Sequence, residues 1–484
     1  MAQKLEDPAV TNFREYLRIP SVHPDVDYDE CVNFLKKQSE SLGLPYKIYY
    51  VVPKKPIFVM TWKGKEPNLP SILLNSHMDV VPVYPDKWKY PPFSAEKDEN
   101  GNIYARGAQD MKCVGIQYLE AIRRLMKNGI QLLRTVHLAF NPDEEIGGRD
   151  GLAQFVHMQE FRDLNVGFAL DEGMASTQEH FILFPGERSI WQIHVRCPGQ
   201  PGHGSLLSSN TAGEKLRKVI DKFMDFRQKE KSRLESDPNL KIGDVTTINL
   251  TVVKGGVQLN VIPAEMVVCF DIRLACDVDH NKFEDMIRGW CAEAGSDVTI
   301  EFEQKNPKIE VSKTDDSSPW WVAFKRECDA LNLNIVQITC PGATDARYMR
   351  QVNETVQIFL KNAFYIIINF GMVGGFAYSS SFMNDGMGSL MANFAINIRN
   401  KLFGMFLLRC PLALRGMKLS KEIFPGGTDG RYIRYVGIPA FGFSPMNNTP
   451  VLLHDNDEFL NESIFLRGID IYYKLIPAVA NVGA

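Results

Sequence analysis

The chain has 484 residues, which at about 150 residues per domain leaves room for two or three domains with a buried core. Its 45% hydrophobic, 23% charged and 11% aromatic residues are those of a globular protein and exclude a peptide module, a fibre or a disordered chain. Lys and Arg number 54 against 58 Asp and Glu, a net charge of -4, so no electrostatic case exists for nucleic acid or an anionic membrane as the main partner; a small neutral or acidic ligand stays open. The nine cysteines are scattered with no C-x-x-C pair, which points to reduced thiols in a cytoplasmic protein, not to a disulfide framework or a cysteine zinc site.

In chain order, Lys4, Glu6 and Asp7 precede an amphipathic stretch with Val10, Phe13 and Leu17 on one helical face, and no apolar signal-peptide core is expected. Ser71 to Asn75 reads as a short buried strand, Met111 to Met126 as a helix with apolar Val114, Tyr118 and Leu119, and Thr135 to Phe140 as a second strand. Such alternation predicts an α/β layer with a mainly parallel sheet, in which ligands bind at the carboxyl ends of strands.

A different texture begins near Glu187. Strands are expected over Ser189 to Val195, Thr246 to Val253, Met266 to Arg273 and Asp297 to Glu303, with helices over Thr211 to Phe226 and Lys282 to Glu293. That is a four-strand, two-helix α+β unit of ferredoxin-like order, inserted into the first. The charge run Arg227 to Arg233 reads as a solvated helix end and linker.

One short repeat stands out. Pro341 to Val352 (PGATDARYMRQV) matches Pro425 to Val436 (PGGTDGRYIRYV) at eight of twelve positions, offset by 84. The flanks do not continue the match, so no solenoid is implied. Between the copies, Asn362 to Asn384 carries no charge, but glycines and asparagines dilute it below the roughly 20 apolar residues of a membrane span; membrane contact is not expected.

Five clusters of acidic or histidine residues follow predicted strands: His77-Met78-Asp79, Asp110, Glu144-Glu145, Asp171-Glu172 and His454-Asp455. Each alone is ordinary, a capped turn or a solvated helix start. Together they supply the nitrogen and oxygen ligands of a two-metal hydrolytic site, in which one carboxylate bridges and each metal adds a histidine and a carboxylate.

The motifs LNSHMDVVPV (Leu74 to Val83), WKYPPFSA (Trp88 to Ala95), YARGAQDMKCVGIQYLEAIRRL (Tyr104 to Leu125), NPDEEIGG (Asn141 to Gly148), FALDEG (Phe168 to Gly173) and FGFSPMNNTPVLLHDNDEFL (Phe441 to Leu460) resemble, in order and in wording, the M20 family of zinc amidohydrolases and peptidases, and within it the enzymes that act on N-acyl amino acids. The resemblance covers nearly all of the chain except about Val352 to Lys418. It implies a catalytic zinc-binding domain over 1–187 and 308–484, an inserted ferredoxin-like lid and dimerisation domain over 188–307, and a homodimer.

Carried over residue by residue, the resemblance implies two zinc ions per subunit: His77, Asp110 and Glu172 on one, and Asp110, Glu145 and His454 on the other. Asp79 would accept a hydrogen bond that orients the His77 ring, and Glu144 would be the general base. His203, in PGHGS, matches a histidine that reaches the partner subunit's active site to stabilise the developing oxyanion. Arg431, with Thr428 and Asp429 of the TDGR motif, matches the position that binds the substrate carboxylate bidentately; Arg434 assists unless it is a surface helix residue, and Asn260 binds substrate polar groups. The expected reaction is hydrolysis of an N-acyl-L-amino acid to a carboxylate and a free amino acid. An M20 dipeptidase, which would use the same metals, is the alternative.

The family pattern has one T-D-x-R-Y motif, whereas this chain has two. Only the second is followed by VGIPAFGFSP and His454, so function is assigned to that copy. Removing Pro341 to Phe424 leaves 400 residues of continuous family-like sequence. The segment therefore reads as a duplicated motif plus sequence foreign to the fold, as a splicing or gene-model product would leave, and a catalytically impaired product is the third reading. A long loop inside a compact domain is itself unusual.

Overall fold

The computed structural model describes residues 5–238, 240–337 and 428–483. The first copy of the repeat and the apolar stretch from Asn362 to Asn384 lie outside them. Among the described residues no helix is long and apolar enough to cross a membrane, and the seven cysteines are free thiols.

Eight strands make the larger sheet, in the spatial order Tyr46–Val52, Lys55–Trp62, Val136–Asn141, Ser71–His77, Val166–Asp171, Ala440–Phe443, Phe181–Phe184 and Ile335–Gln337. Ser71–His77 is buried along its whole length. It runs parallel to Val136–Asn141, with His77 opposite Asn141, and parallel to Val166–Asp171, with Leu74 opposite Leu170. Ala440–Phe443 continues the parallel set, with Gly442 opposite Asp171. Covered on both faces, these strands are mostly apolar, with polar residues such as His137 within them and Asn75, Asn141 and Asp171 toward their carboxyl ends.

The sheet is mixed but mainly parallel, as the alternation of elements predicts. Tyr46–Val52 and Lys55–Trp62 form an antiparallel hairpin, Lys55–Trp62 runs antiparallel to Val136–Asn141, and Phe181–Phe184 antiparallel to Ala440–Phe443. Only Pro53 and Lys54 separate the hairpin strands, and so short a link cannot make the crossover that parallel pairing needs. The centre stays parallel, and that centre positions the site.

Helices Pro8–Leu17, Lys112–Lys127 and Glu462–Ala480 pack on the sheet. They bury Phe13, Tyr118, Leu119, Phe465 and Tyr472 with Ile72, Leu74 and Leu170 in one core. Phe13 stacks on Phe465 at 4.3 Å. Val10, Phe13 and Leu17 all face inward, as their helical spacing predicts.

The second sheet has the order Thr247–Gly255, Glu265–Leu274, Ser189–Pro198, Thr299–Lys305, with every pairing antiparallel. In chain order this is strands two, three, one, four, the ferredoxin-like arrangement. Helices Ala212–Ser236 and His280–Ala294 contribute Val219, Phe223 and Ile287 to a core of its own with Trp191, Ile193 and Phe270. The run Arg227 to Arg233 is not a linker: the helix continues through it to Ser236. Glu230 within the run is buried and accepts the Thr246 backbone N–H at 2.9 Å, which ties the last turns to the start of the next strand.

His137, in the middle of a central strand, has both ring nitrogens engaged, with Thr61 Oγ1 at 3.0 Å and the Leu164 carbonyl at 3.1 Å. Burial pushes its pKa down to about 4 from 6.5. The unfolded chain takes up this proton near pH 6.5 while the folded protein resists it, so the stabilisation is complete above pH 6.5 and is lost as pH falls toward 4. We expect His137 to contribute a loss of about 3 kcal/mol across that range. Urea unfolding at a series of pH values should give a shallower slope for His137→Gln; identical slopes would show that this group does not carry the effect.

Candidate metal centre

His77 ends its strand, Glu172 directly follows Val166–Asp171, and Glu145 lies in the 3-10 turn Glu144–Ile146 after Val136–Asn141. Three neighbouring parallel strands thus deliver three of the predicted ligands to one edge. Asp110 comes from the loop before helix Lys112–Lys127, and His454 from a loop where its own backbone is left-handed, φ 60°.

The five form two overlapping groups, His77 with Asp110 and Glu172, and Asp110 with Glu145 and His454. Within each group the candidate ligand atoms lie within 4.8 Å of one another. His77 Nε2 is 3.0 Å from Asp110 Oδ1 and 3.4 Å from Glu172 Oε2. His454 Nε2 is 2.9 Å from Glu145 Oε2 and 3.5 Å from Asp110 Oδ2. Each Asp110 oxygen therefore faces a different group.

The electrostatics suit a cation. Burial raises the Glu172 carboxyl well above its usual range, and the charges of Asp110 and Glu144 push the same way. Burial and Asp110 likewise raise Glu145. Burial opposes a charge on His77, but hydrogen bonds to Asp110 and Glu172 hold it protonated well above pH 6.5; Asp110 and Glu145 take His454 up to about 11 against the same opposition. A proton on either histidine would sit between carboxylates, where a divalent cation would satisfy the same charges. The donor set, imidazole and carboxylate with no thiolate, suits zinc and similar divalent ions.

Asp79 orients His77 differently from the expectation. His77 Nδ1 bonds the Asp79 backbone carbonyl at 2.9 Å, while the nearer carboxylate oxygen is 3.7 Å away. The carboxylate is fully buried and used elsewhere: Oδ1 accepts the Glu144 N–H at 3.1 Å, Oδ2 the Glu145 N–H at 3.0 Å, and Oδ2 meets His23 Nε2 at 2.9 Å. Those two N–H groups open a turn and would otherwise be orphaned. One residue therefore holds the His77 ring with its backbone and the Glu144–Glu145 turn with its side chain.

Glu144 is 7% exposed and belongs to neither metal group; its Oε1 has no hydrogen-bond partner among the described residues. Burial raises its pKa well above the carboxylate range, while His77 and Arg431 pull it back. Arg431 is also buried, lies over the Tyr432 ring at 4.8 Å, and has no partner for Nε among the described residues.

The TDGR segment is held by a buried polar lattice. Asp171 Oδ2 accepts the Gly430 N–H at 2.6 Å and its Oδ1 accepts from Asn75 at 2.9 Å. Asn141 donates to Asn75 Oδ1 at 2.7 Å and to Asp429 Oδ2 at 2.9 Å. The Thr428 hydroxyl accepts the Gly430 N–H at 3.1 Å, and the Thr428 N–H reaches Glu187 Oε2 at 2.7 Å. Arg434 is neither a surface residue nor a free guanidinium. It is buried against Glu187 as an ion pair and donates to the Ala440 carbonyl at 3.0 Å. Its charge offsets that of Glu187.

His203 and Asn260 come together away from this cluster. Gly202–His203 pairs with Val261–Ile262, the Gly204 N–H meets the Asn260 carbonyl at 2.8 Å, and exposed His203 bonds Ser205 through Nδ1 at 2.7 Å. Among the described residues neither side chain hydrogen-bonds to a member of the metal groups. Sequence reasoning missed His23, Asn75, Asn141, Glu187 and Glu458, polar residues that act through others. Burial is their signature, and a single chain of letters does not display it. Asp79→Asn would set an amide N–H against the N–H of Glu144 or Glu145. Equilibrium dialysis against zinc should show affinity reduced ~10–100-fold; unchanged affinity would exclude the Asp79 carboxylate as a positioning group.

Residues 73–372 match peptidase family M20/M25/M40. Aminoacylase-1 of Homo sapiens is 44% identical over 479 residues, covering 99% of this chain and 97% of that protein. Aminoacylase-1 of Dictyostelium discoideum is 39% identical over 489 residues, covering 99% and 98%. Among solved structures, an M20 family metallo-carboxypeptidase from Sulfolobus solfataricus superposes with a TM-score of 0.62 at 16% identity, covering 98% of this chain and all of that one. With its fold, its clustered acidic and histidine residues and these likenesses in agreement, the chain belongs to the M20/M25/M40 peptidase family.

Proposed function

We propose that the protein hydrolyses N-acyl-L-amino acids at a two-metal centre. The observation that carries this reading is a pair of ligand groups sharing Asp110, with a buried, unligated Glu144 and a buried Arg431 beside them. The near-full-length likeness to aminoacylases supports the substrate class.

His77, Asp110 and Glu172 would hold one divalent cation and Asp110, Glu145 and His454 the other, zinc by family resemblance; when bound, such ions polarise the amide and acidify water. Glu144 takes the proton from the attacking water and returns it to the leaving nitrogen. Its raised pKa suits a group that must hold that proton in transit. Arg431 pairs with the α-carboxylate of the substrate, and the bonds from Asp171 and Glu187 to the TDGR backbone aim it. Thr428 and Asp429 act through this backbone and its neighbours.

We place the catalytic domain at 1–187 and 308–484 and the inserted lid and dimerisation domain at 188–307, whose separate sheet and core support the division. Leu207 (104% exposed), Leu259 (107%) and Val257 (93%) flank the His203–Asn260 ribbon. Apolar side chains this exposed favour a protein interface, in keeping with a homodimer in which His203 and Asn260 serve the partner's site. The free thiols among the described residues fit a cytoplasmic setting.

Glu144→Gln should lower turnover of N-acetyl-L-methionine by ~10²–10⁴-fold while metal content by atomic absorption stays at the wild-type level. Near-normal turnover in the metal-loaded variant would remove Glu144 from the base role, and faster cleavage of simple dipeptides than of N-acetyl-L-methionine by the wild type would favour the dipeptidase reading. Mixing inactive Glu144→Gln with inactive His203→Ala protein should restore activity if sites are shared between subunits. Two mutants that never complement would place His203 outside the reaction.

A further inference from the structure

We propose that Gln109 and Glu458 form a reciprocal clasp that sets the spacing between Asp110 and His454, and so governs the metal position made by Asp110, Glu145 and His454. The inference rests on the two-metal reading above. It adds two positioning residues that belong to neither ligand group.

Glu458 is completely buried, and its carboxylate is committed to the loop that carries Asp110. It accepts from Arg106 Nη1 at 2.8 Å and from the backbone N–H groups of Gly107 at 3.1 Å, Gln109 at 2.6 Å and Asp110 at 3.2 Å. The return contacts come from the Gln109 side chain. Nε2 donates to the Pro450 carbonyl at 3.0 Å and the Phe459 carbonyl at 2.9 Å, and Oε1 accepts the Leu452 N–H at 3.0 Å. The residue before Asp110 thus grips the His454 loop on both sides, and a residue four positions after His454 grips the Asp110 loop.

Backbone pairing alone does not reach this far. Phe459–Asn461 pairs with Asn102–Tyr104, and one further bond joins the Ala105 N–H to the Glu458 carbonyl at 3.1 Å. Beyond that the two loops are joined by the side chains of Arg106, Gln109 and Glu458, Arg106 also reaching the Asp455 carbonyl at 2.9 Å. His77 and Glu172, in contrast, sit at the ends of adjacent parallel strands whose ladder runs close to both. Loss of the clasp should therefore weaken the His454 position more than the His77 position.

Cobalt(II) titration of metal-free protein, followed by visible absorption and equilibrium dialysis, separates the two positions without relying on activity. Wild type should take up two equivalents. Gln109→Leu and Glu458→Gln should each bind the first equivalent much as wild type does and the second ~10–100-fold more weakly. Leu475→Ala, which creates a cavity in the core and lowers the melting temperature without touching either loop, should keep both. If Glu458→Gln does not fold, Gln109→Leu decides, because it leaves the Arg106–Glu458 ion pair in place. Two equivalents bound at wild-type strength by the clasp variants would overturn the proposal, as would equal weakening of both in step with lost thermal stability. Fewer than two equivalents on the wild type would instead overturn the two-metal reading.

Discussion

Mutual repulsion among carboxylates crowded into one buried volume is the constraint that the rest of the structure answers. Asp110, Glu144, Glu145 and Glu172 converge on two histidines at the edge of a parallel sheet. Burial alone would drive each acid to its neutral form. The arrangement persists because the turns and loops that carry the ligands are held from behind by buried groups rich in hydrogen bonds, and because positive charge, whether protons on His77 and His454 or divalent ions, suits the space between the acids.

The means of holding differ with position in the fold. Where ligands end adjacent strands, the ladder does most of the work: His77 lies opposite Asn141, and Leu74 opposite Leu170, two residues before Glu172. Where ligands stand on loops, single buried carboxylates replace the ladder. Asp79 captures the N–H groups of the Glu144–Glu145 turn, Asp171 and Glu187 capture those of the TDGR segment, and Glu458 captures those of the Asp110 loop. A carboxylate suits this task because one side chain accepts several hydrogen bonds at once, and those to an ionised acceptor are the stronger kind.

Arg431 and Arg434 show how little residue type says about role. Three positions apart on one short helix, both are buried and cationic. Arg434 meets Glu187 in a buried ion pair, whereas the charge of Arg431 acts on Glu144; the Nε of each has no hydrogen-bond partner among the described residues. The expectation that Arg434 could be a surface residue fails, because it is buried against Glu187, 247 residues away in the chain.

Sequence alone pointed to two central strands and the helix after Asp110, to the four-strand, two-helix unit, to the change of texture near Glu187 and to the chemical type of each candidate ligand, because these rest on local periodicity and on motifs a few residues long. Local reading met its limit in the run Arg227 to Arg233, where the helix continues to Ser236 and Glu230 finds the Thr246 N–H. Tertiary structure decided which Asp110 oxygen faces which histidine, that the Asp79 carbonyl and not its carboxylate orients His77, and that Gln109 and Glu458, 349 residues apart, bind each other's loops. Those outcomes depend on hydrogen bonds between buried groups brought together only by folding, and the distances between such groups are not written in the order of residues along the chain.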